Sequence, residues 1–296
     1  MLKGVPTIVT NAHVMSGNPN VKFLGLNSRE LPAGKLSFSQ NYDLAALTQT
    51  EMTDGIPVME DVDKNAKIGD EVVVLGNSQG SSVVTEITGK ITGIGPDLIE
   101  VDAKFVEGNS GSPIIHIKSG KAIGVATFVT LRKLSAIGTD SQFTDIRRFG
   151  YRLDTAIQWE PTTLKQVAAE AEVVETLKKT TDALHALLLD IYQNGSVSMG
   201  IHEHAGNPLR SAATEYLQVI ANAKHSSPSD IASAKKRFLR SALSVCSGDL
   251  KSLNPATYLG YHRKKIEHER EVRKVMEEKL NKLLESQDAA GRLGAR

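Results

Sequence analysis

Apolar residues change their spacing part-way along the chain. Through the first half they come in short β-branched runs separated by Gly, Asn, Asp and Pro; from about residue 160 they recur every three or four positions. Runs at 6–10, 21–26, 44–48, 71–75, 82–94, 98–103, 113–117 and 122–129 predict strands, and many short strands with regular turn signals imply a sandwich or barrel rather than a parallel α/β sheet. Beyond Trp159-Glu160-Pro161 the stripe Val167, Ala171, Val174, Leu177, Thr181, Leu184, Leu188 and Ile191 predicts a long amphipathic helix from Leu164, closed by Asn194-Gly195. Further helices are expected over 208–223 and 228–244, each with a proline in its first turn, and over 255–286. In the last, Ile266, Val272, Met276, Leu280 and Leu283 form a narrow seam among charged i, i+4 pairs such as Glu269 with Arg273. The change of period sets a boundary between an all-β domain, 1–158, and an α-helical region, 159–296.

The candidate chemistry lies in the β half. In Gly108-Asn109-Ser110-Gly111-Ser112-Pro113 a serine is flanked by glycines, which permit a tight turn and close approach of a carbonyl. Such a turn can aim the N–H groups of Gly108 and Ser110 at one point, where an oxyanion would lie. Alone, the hexapeptide also suits a simple polar hairpin loop. A serine nucleophile needs a base and an orienting carboxylate. Thr10-Asn11-Ala12-His13-Val14 offers His13 at the end of a strand-like run, and Asn41-Tyr42-Asp43-Leu44-Ala45-Ala46-Leu47 offers Asp43 at the mouth of another.

These three segments, in the order His, Asp, Ser, resemble the signature segments of trypsin-like serine peptidases with the chymotrypsin fold. The likeness spans roughly residues 5–130 and is nearest to the bacterial Do-like (HtrA) branch. The resemblance implies two β-barrels with the site between them, a His13-Asp43-Ser110 triad, an oxyanion hole at Gly108 and Ser110, and an acyl-enzyme formed on a polypeptide substrate. It also implies that 120–127, with Ala126 and Thr127, lines the substrate backbone. Lys104 falls near the base of the family's specificity pocket; turned inward it would favour acidic side chains, and turned outward it would simply lie along the surface. Asn109 stands where many trypsins carry an aspartate, so activation through an N-terminal ion pair is not expected. Ser112 replaces the commoner glycine and narrows the space behind the nucleophile. Only twelve residues precede His13, so the resemblance implies that the first strands of the first barrel are missing from the chain. Nothing in 159–296 resembles a PDZ domain. That region is expected to pack on the peptidase, mediate self-association or present a partner surface, and a non-catalytic peptidase-like scaffold is the alternative function.

Composition changes this picture little. With 35 Lys and Arg against 34 Asp and Glu over 296 residues, the charge suggests no nucleic-acid partner. The single cysteine, Cys246, excludes an intramolecular disulfide and so a disulfide-stapled secreted protease, and reads as a small buried apolar group. No apolar run is long enough for a membrane-spanning helix, and no signal peptide is visible; a periplasmic or secreted location is expected from the resemblance alone. No cofactor is expected. His202 and His204 lack a third ligand at metal-site spacing, and Gly76-Asn77-Ser78-Gln79-Gly80 lacks the lysine of a phosphate loop.

Overall fold

The computed structural model describes residues 6–17, 20–25, 30–49, 55–78, 83–135, 142–189, 206–222, 224–251 and 253–293. They form two compact units, one of 1–169 with 259–261 and the other of 170–258 with 262–296.

The first unit holds two β-layers. One is a four-stranded antiparallel sheet in the order β1 (Thr7–Thr10), β3 (Ala45–Gln49), β2 (Ala33–Ser39), β10 (Trp159–Thr162). The other is a closed barrel of β4 (Glu71–Gly76), β5 (Thr85–Ile94), β6 (Leu98–Val101), β9 (Gln142–Arg152), β8 (Lys121–Ser135) and β7 (Pro113–His116). Every strand of the barrel pairs antiparallel with both neighbours, so no edge is left open. Its core draws on Val72, Val74, Ile91, Ile99, Phe105, Ile114 and Ile123, all lying between 56 and 126. The β4 pattern is typical of how this happens: Val72 and Val74 point inward while Glu71 points out, as period two requires.

The sheet is built differently. Its core contains Ala12, Met15, Leu36, Phe38, Ala45 and Leu47, but also Val167, Leu259 and Tyr261, with Leu164 packed against them. This explains why the first unit runs on to Ala169 rather than ending near Trp159 as the change of period suggests. β10 hydrogen-bonds to β2, and the first turn of the following helix fills the sheet's core.

Three strands escape the sequence pattern. β2 reads AGKLSFS and β9 carries Asp145, Arg147 and Arg148, so neither is a clean apolar run; β10 contains a proline. Conversely, the described part of the 21–26 run, 21–25, forms no strand and contributes only the isolated bridge Leu24↔Glu30.

The second unit is helical, with most of α3 (Leu164–Leu189), then α4 (Asn207–Ala221), α5 (Pro228–Lys251) and most of α6 (Gly260–Leu293). Ser227 and Asp230 exchange hydrogen bonds at the start of α5, the N–H of Asp230 to Ser227 Oγ and the N–H of Ser227 to Asp230 Oδ2. This reciprocal cap, together with Pro228 in the first turn, starts the helix where the sequence predicts. Leu184, Leu187, Leu209, Phe238, Leu239, Cys246 and Leu280 meet in one core, and burial pushes the Cys246 thiol up to about 11, consistent with an inert apolar role. Arg273, expected on the charged face of the last helix, is instead 1% exposed. Its guanidinium donates to Thr181 Oγ1 at 2.9 Å and to the Leu177 carbonyl at 3.0 Å. Asn194, Gly195, His202 and His204 lie outside the described residues.

Candidate active site

The expected base and its carboxylate, His13 and Asp43, both belong to the four-stranded sheet. β1 ends at Thr10, and a single helical turn, α1 (Ala12–Met15), carries His13. Asp43 sits in the turn between β2 and β3. There Ser39 Oγ accepts the N–H groups of Asn41 (3.2 Å) and Tyr42 (3.0 Å), which bends the chain before Asp43. Asn11, fully buried, donates from Nδ2 to the Asp43 carbonyl at 2.8 Å and so ties the two turns together. Asp43 Oδ1 accepts the His13 N–H at 2.9 Å, and Oδ2 lies 2.5 Å from His13 Nδ1. Both carboxylate oxygens are thus spent on one residue. An Nδ1–H facing a carboxylate fixes the tautomer in which Nε2 is free to take a proton. The pair is only partly covered, at 38% exposure for the His13 side chain and 21% for Asp43.

Ser110 lies between β6 and β7, at the mouth of the barrel. The loop is held from within by Asn109, whose buried side-chain oxygen accepts the Val106 N–H at 3.0 Å and the Ser78 hydroxyl at 3.2 Å. β8 holds the loop from outside. The Gly111 N–H donates to the Ala126 carbonyl and the Ala126 N–H to the Ser112 carbonyl, both at 2.9 Å. Pairing between β8 and β9 jumps from Ala126↔Gly150 to Phe128↔Phe149, a bulge that leaves Thr127 out of the ladder. The freed Thr127 carbonyl accepts the Ser110 hydroxyl at 3.4 Å. Ser112 finds its room against Gly76, where any Cβ would overlap the Ser112 side chain.

Gly108 and Gly111 both adopt positive φ, 92° and 88°, the conformation for which glycine is suited. Among the described residues the N–H groups of Gly108 and Ser110 have no acceptor, whereas that of Asn109 is bonded to the Val106 carbonyl at 3.1 Å. Two free donors therefore flank one that is used. Gly111 also makes the junction between the two β-layers. A Cβ there would collide with the Thr10 side chain and stand 3.5 Å from the Asn11 nitrogen. The serine loop consequently abuts the end of β1, next to His13.

Of the other expected site residues, Ala126 and Thr127 lie against the serine loop as described. Lys104 is exposed and lines a groove on the outside of the barrel with Glu71, Glu86, Lys90 and Asp102. The structure adds residues that the sequence did not single out. Tyr151 and Tyr261 are close enough to Asp43 that its charge, after burial, raises their phenol pKa values. Phe128 stacks on Phe149 at 5.0 Å, and Tyr42 meets Tyr151 at 5.2 Å. Tyr42 in turn donates to Asp97 at 2.7 Å, and this bond, with burial and the Asp97 charge, raises its pKa.

Parts of this chain match known proteins. Residues 3–125 match the trypsin-like peptidase domain. A probable periplasmic serine endoprotease DegP-like of Rickettsia conorii is 31% identical over 145 residues, covering 45% of this chain and 27% of that protein. Its Bartonella henselae counterpart is 32% identical over 129 residues, 41% of this chain and 25% of that protein. The chain thus spans about a quarter of the length of these relatives. Among solved structures, the serine endoprotease from Yersinia pestis aligns with 24% identity and a TM-score of 0.39 over 50% of this chain and 49% of that one. The HtrA-type protease AlgW with decapeptide aligns with 21% identity and a TM-score of 0.40 over 57% and 49%. Over residues 3–125 this chain thus resembles a trypsin-like peptidase domain, and the relatives it matches are named DegP-like serine endoproteases.

Proposed function

We propose that the protein is a serine endopeptidase in which Ser110 attacks the scissile carbonyl, His13 takes its proton and returns it to the leaving amine, and Asp43 orients the imidazole and stabilises its charged form. The carrying observation is that Asp43 binds His13 through both oxygens while Gly111 seats the serine loop against Thr10 and Asn11. In this reading the free N–H groups of Gly108 and Ser110 receive the oxyanion. Ala126 and Thr127 present their backbone to an extended polypeptide, and the Thr127 carbonyl exchanges the Ser110 hydroxyl for a substrate N–H. The naming of the relatives as periplasmic supports a location outside the cytoplasm. The test is incubation with a denatured protein substrate and mass-spectrometric mapping of new termini. Cleavage that disappears in Ser110→Ala supports the reading.

One observation favours a second reading, a peptidase-like scaffold that binds without cutting. The recorded partner of the Ser110 hydroxyl is the Thr127 carbonyl rather than His13. Catalytic hydrogen bonds in substrate-free enzymes are often long and tighten only on binding, so the first reading keeps precedence. Under the second, the substrate binds equally to the native chain and to Ser110→Ala, and neither generates new termini.

A further inference from the structure

The sheet that bears His13 and Asp43 takes part of its core from a segment more than two hundred residues further along the chain. Leu259 and Tyr261 are 5% and 8% exposed, and they pack with Ala12 and Met15, which flank His13, and with Ala45, two residues after Asp43. Tyr261 meets Phe38 of β2 edge to face, with ring centroids 6.1 Å apart. Between them Gly260 is pressed onto the turn that leads to Asp43: a Cβ on it would lie 2.6 Å from both the Cα and the carbonyl oxygen of Gln40. The contact is fastened by Glu160, which accepts the Gly260 N–H at 2.7 Å with one oxygen and the Gln40 side-chain amide at 3.0 Å with the other. Gln40 is further anchored by its N–H to the Gln158 carbonyl at 2.9 Å. The turn 39–43 is therefore gripped on one side by Asn11 and on the other by 259–261.

We propose that Leu259-Gly260-Tyr261 is a positioning element of the peptidase site, setting the Asp43 turn so that its carboxylate meets His13. This rests on the peptidase reading for its catalytic consequence, but the geometric claim stands apart from it. None of the three residues touches the reacting atoms. They act by removing the freedom of the turn, and a misplacement of about 1 Å in a catalytic group can cost on the order of a hundredfold in rate. Tyr261 contributes a rigid ring with few rotamers to lose, and burial together with the Asp43 charge keeps its phenol protonated.

The test uses the full chain in two backgrounds. In Ser110→Ala, which needs no activity, the proton shared by His13 Nδ1 and Asp43 is followed as a downfield proton resonance. In the native background, the rate of fluorophosphonate labelling is measured. Gly260→Ala and Tyr261→Ala are expected to broaden or lose the resonance and to slow labelling about a hundredfold, with cooperative unfolding retained. Tyr261→Phe, which keeps the ring on Phe38, should recover both readouts relative to Tyr261→Ala. Gly260→Ala serves if Tyr261→Ala does not fold, because it adds a single methyl group. A folded Gly260→Ala or Tyr261→Ala variant with an unchanged resonance would overturn the proposal. Loss of the resonance in a chain that is never labelled would sustain the positioning claim while removing the peptidase reading.

Discussion

The two β-layers contribute opposite halves of the candidate site and are stabilised in opposite ways. The barrel that presents Ser110 is closed on itself and filled by residues between 56 and 126. The sheet that presents His13 and Asp43 is open and is completed by Leu164, Val167, Leu259 and Tyr261. A nucleophile on a tight glycine loop needs only local support. A base and carboxylate from two separate turns must be held in register by whatever covers the sheet, and here that is chain from beyond residue 160.

The largest effects should come at the site itself. Ser110→Ala should reduce peptide cleavage by on the order of a millionfold, and Asp43→Asn by about ten-thousandfold. A loss in His13→Ala equal to that in Ser110→Ala in steady-state assays would show that the two layers act as one unit.

Next in size is the barrel's own polar staple. Arg152, with its side chain 4% exposed, binds Asp63, Asp154 and the Gly95 carbonyl, and Asp154 is 6% exposed. Removing the guanidinium in Arg152→Met leaves a buried carboxylate without its cation, which should cost about 3–5 kcal/mol in thermal or denaturant unfolding. Burial alone would raise the Asp154 carboxyl, but hydrogen bonds from Arg152 and the Val62 N–H overcome it and hold the group below its ordinary value. The associated stability is present above the ordinary carboxylate range near pH 4 and is lost as pH falls through the lowered value.

Smaller, and on the other layer, Val167→Ala should cost about 2 kcal/mol from the two lost buried carbons. Its signature is that labelling of Ser110 slows while the barrel's hydrogen-exchange protection is unchanged. Parallel loss of protection in the barrel would break the contrast between a self-sufficient and a dependent layer.

The smallest effect concerns the helical unit. His262, 1% exposed, bonds through Nδ1 to Glu170 at 2.9 Å. Burial lowers its pKa, against the opposing pull of Glu170. A histidine lowered in the folded state contributes stability that is full above about pH 6.5, its ordinary value, and is lost as pH falls toward the lowered one. The helices should therefore soften in mild acid before the barrel does, seen as a falling helical melting temperature between pH 7.5 and 5.5 that His262→Gln reduces.

Much of the site was legible because each catalytic candidate sits in its own short motif. Gly108 and Gly111 announce a turn wherever they occur, and β1, β3, β4 and β7 keep the apolar runs that flag a strand. What was not legible depends on distance. β2 and β9 are strands because neighbours pair with them, not because AGKLSFS or a run with two arginines prefers extension. Asn11 looks like part of a motif, but its hold on the Asp43 carbonyl is visible only when β1 and the β2–β3 turn are adjacent. Arg273 follows the charged helical pattern yet is turned inward by three backbone and hydroxyl acceptors. Tyr261 carries no local sign that it completes a sheet whose first three strands lie more than two hundred residues earlier in the chain.

On the peptidase reading, these two layers together activate Ser110. Intact-mass measurement after exposure to a fluorophosphonate probe tests it most directly, on the native chain and on Ser110→Ala, His13→Ala and Asp43→Asn. One adduct is expected on the native chain, none on Ser110→Ala, and labelling slowed by at least about ten-thousandfold in His13→Ala and Asp43→Asn. A folded native chain that takes up no probe, or one labelled as fast without His13 as with it, would contradict that reading.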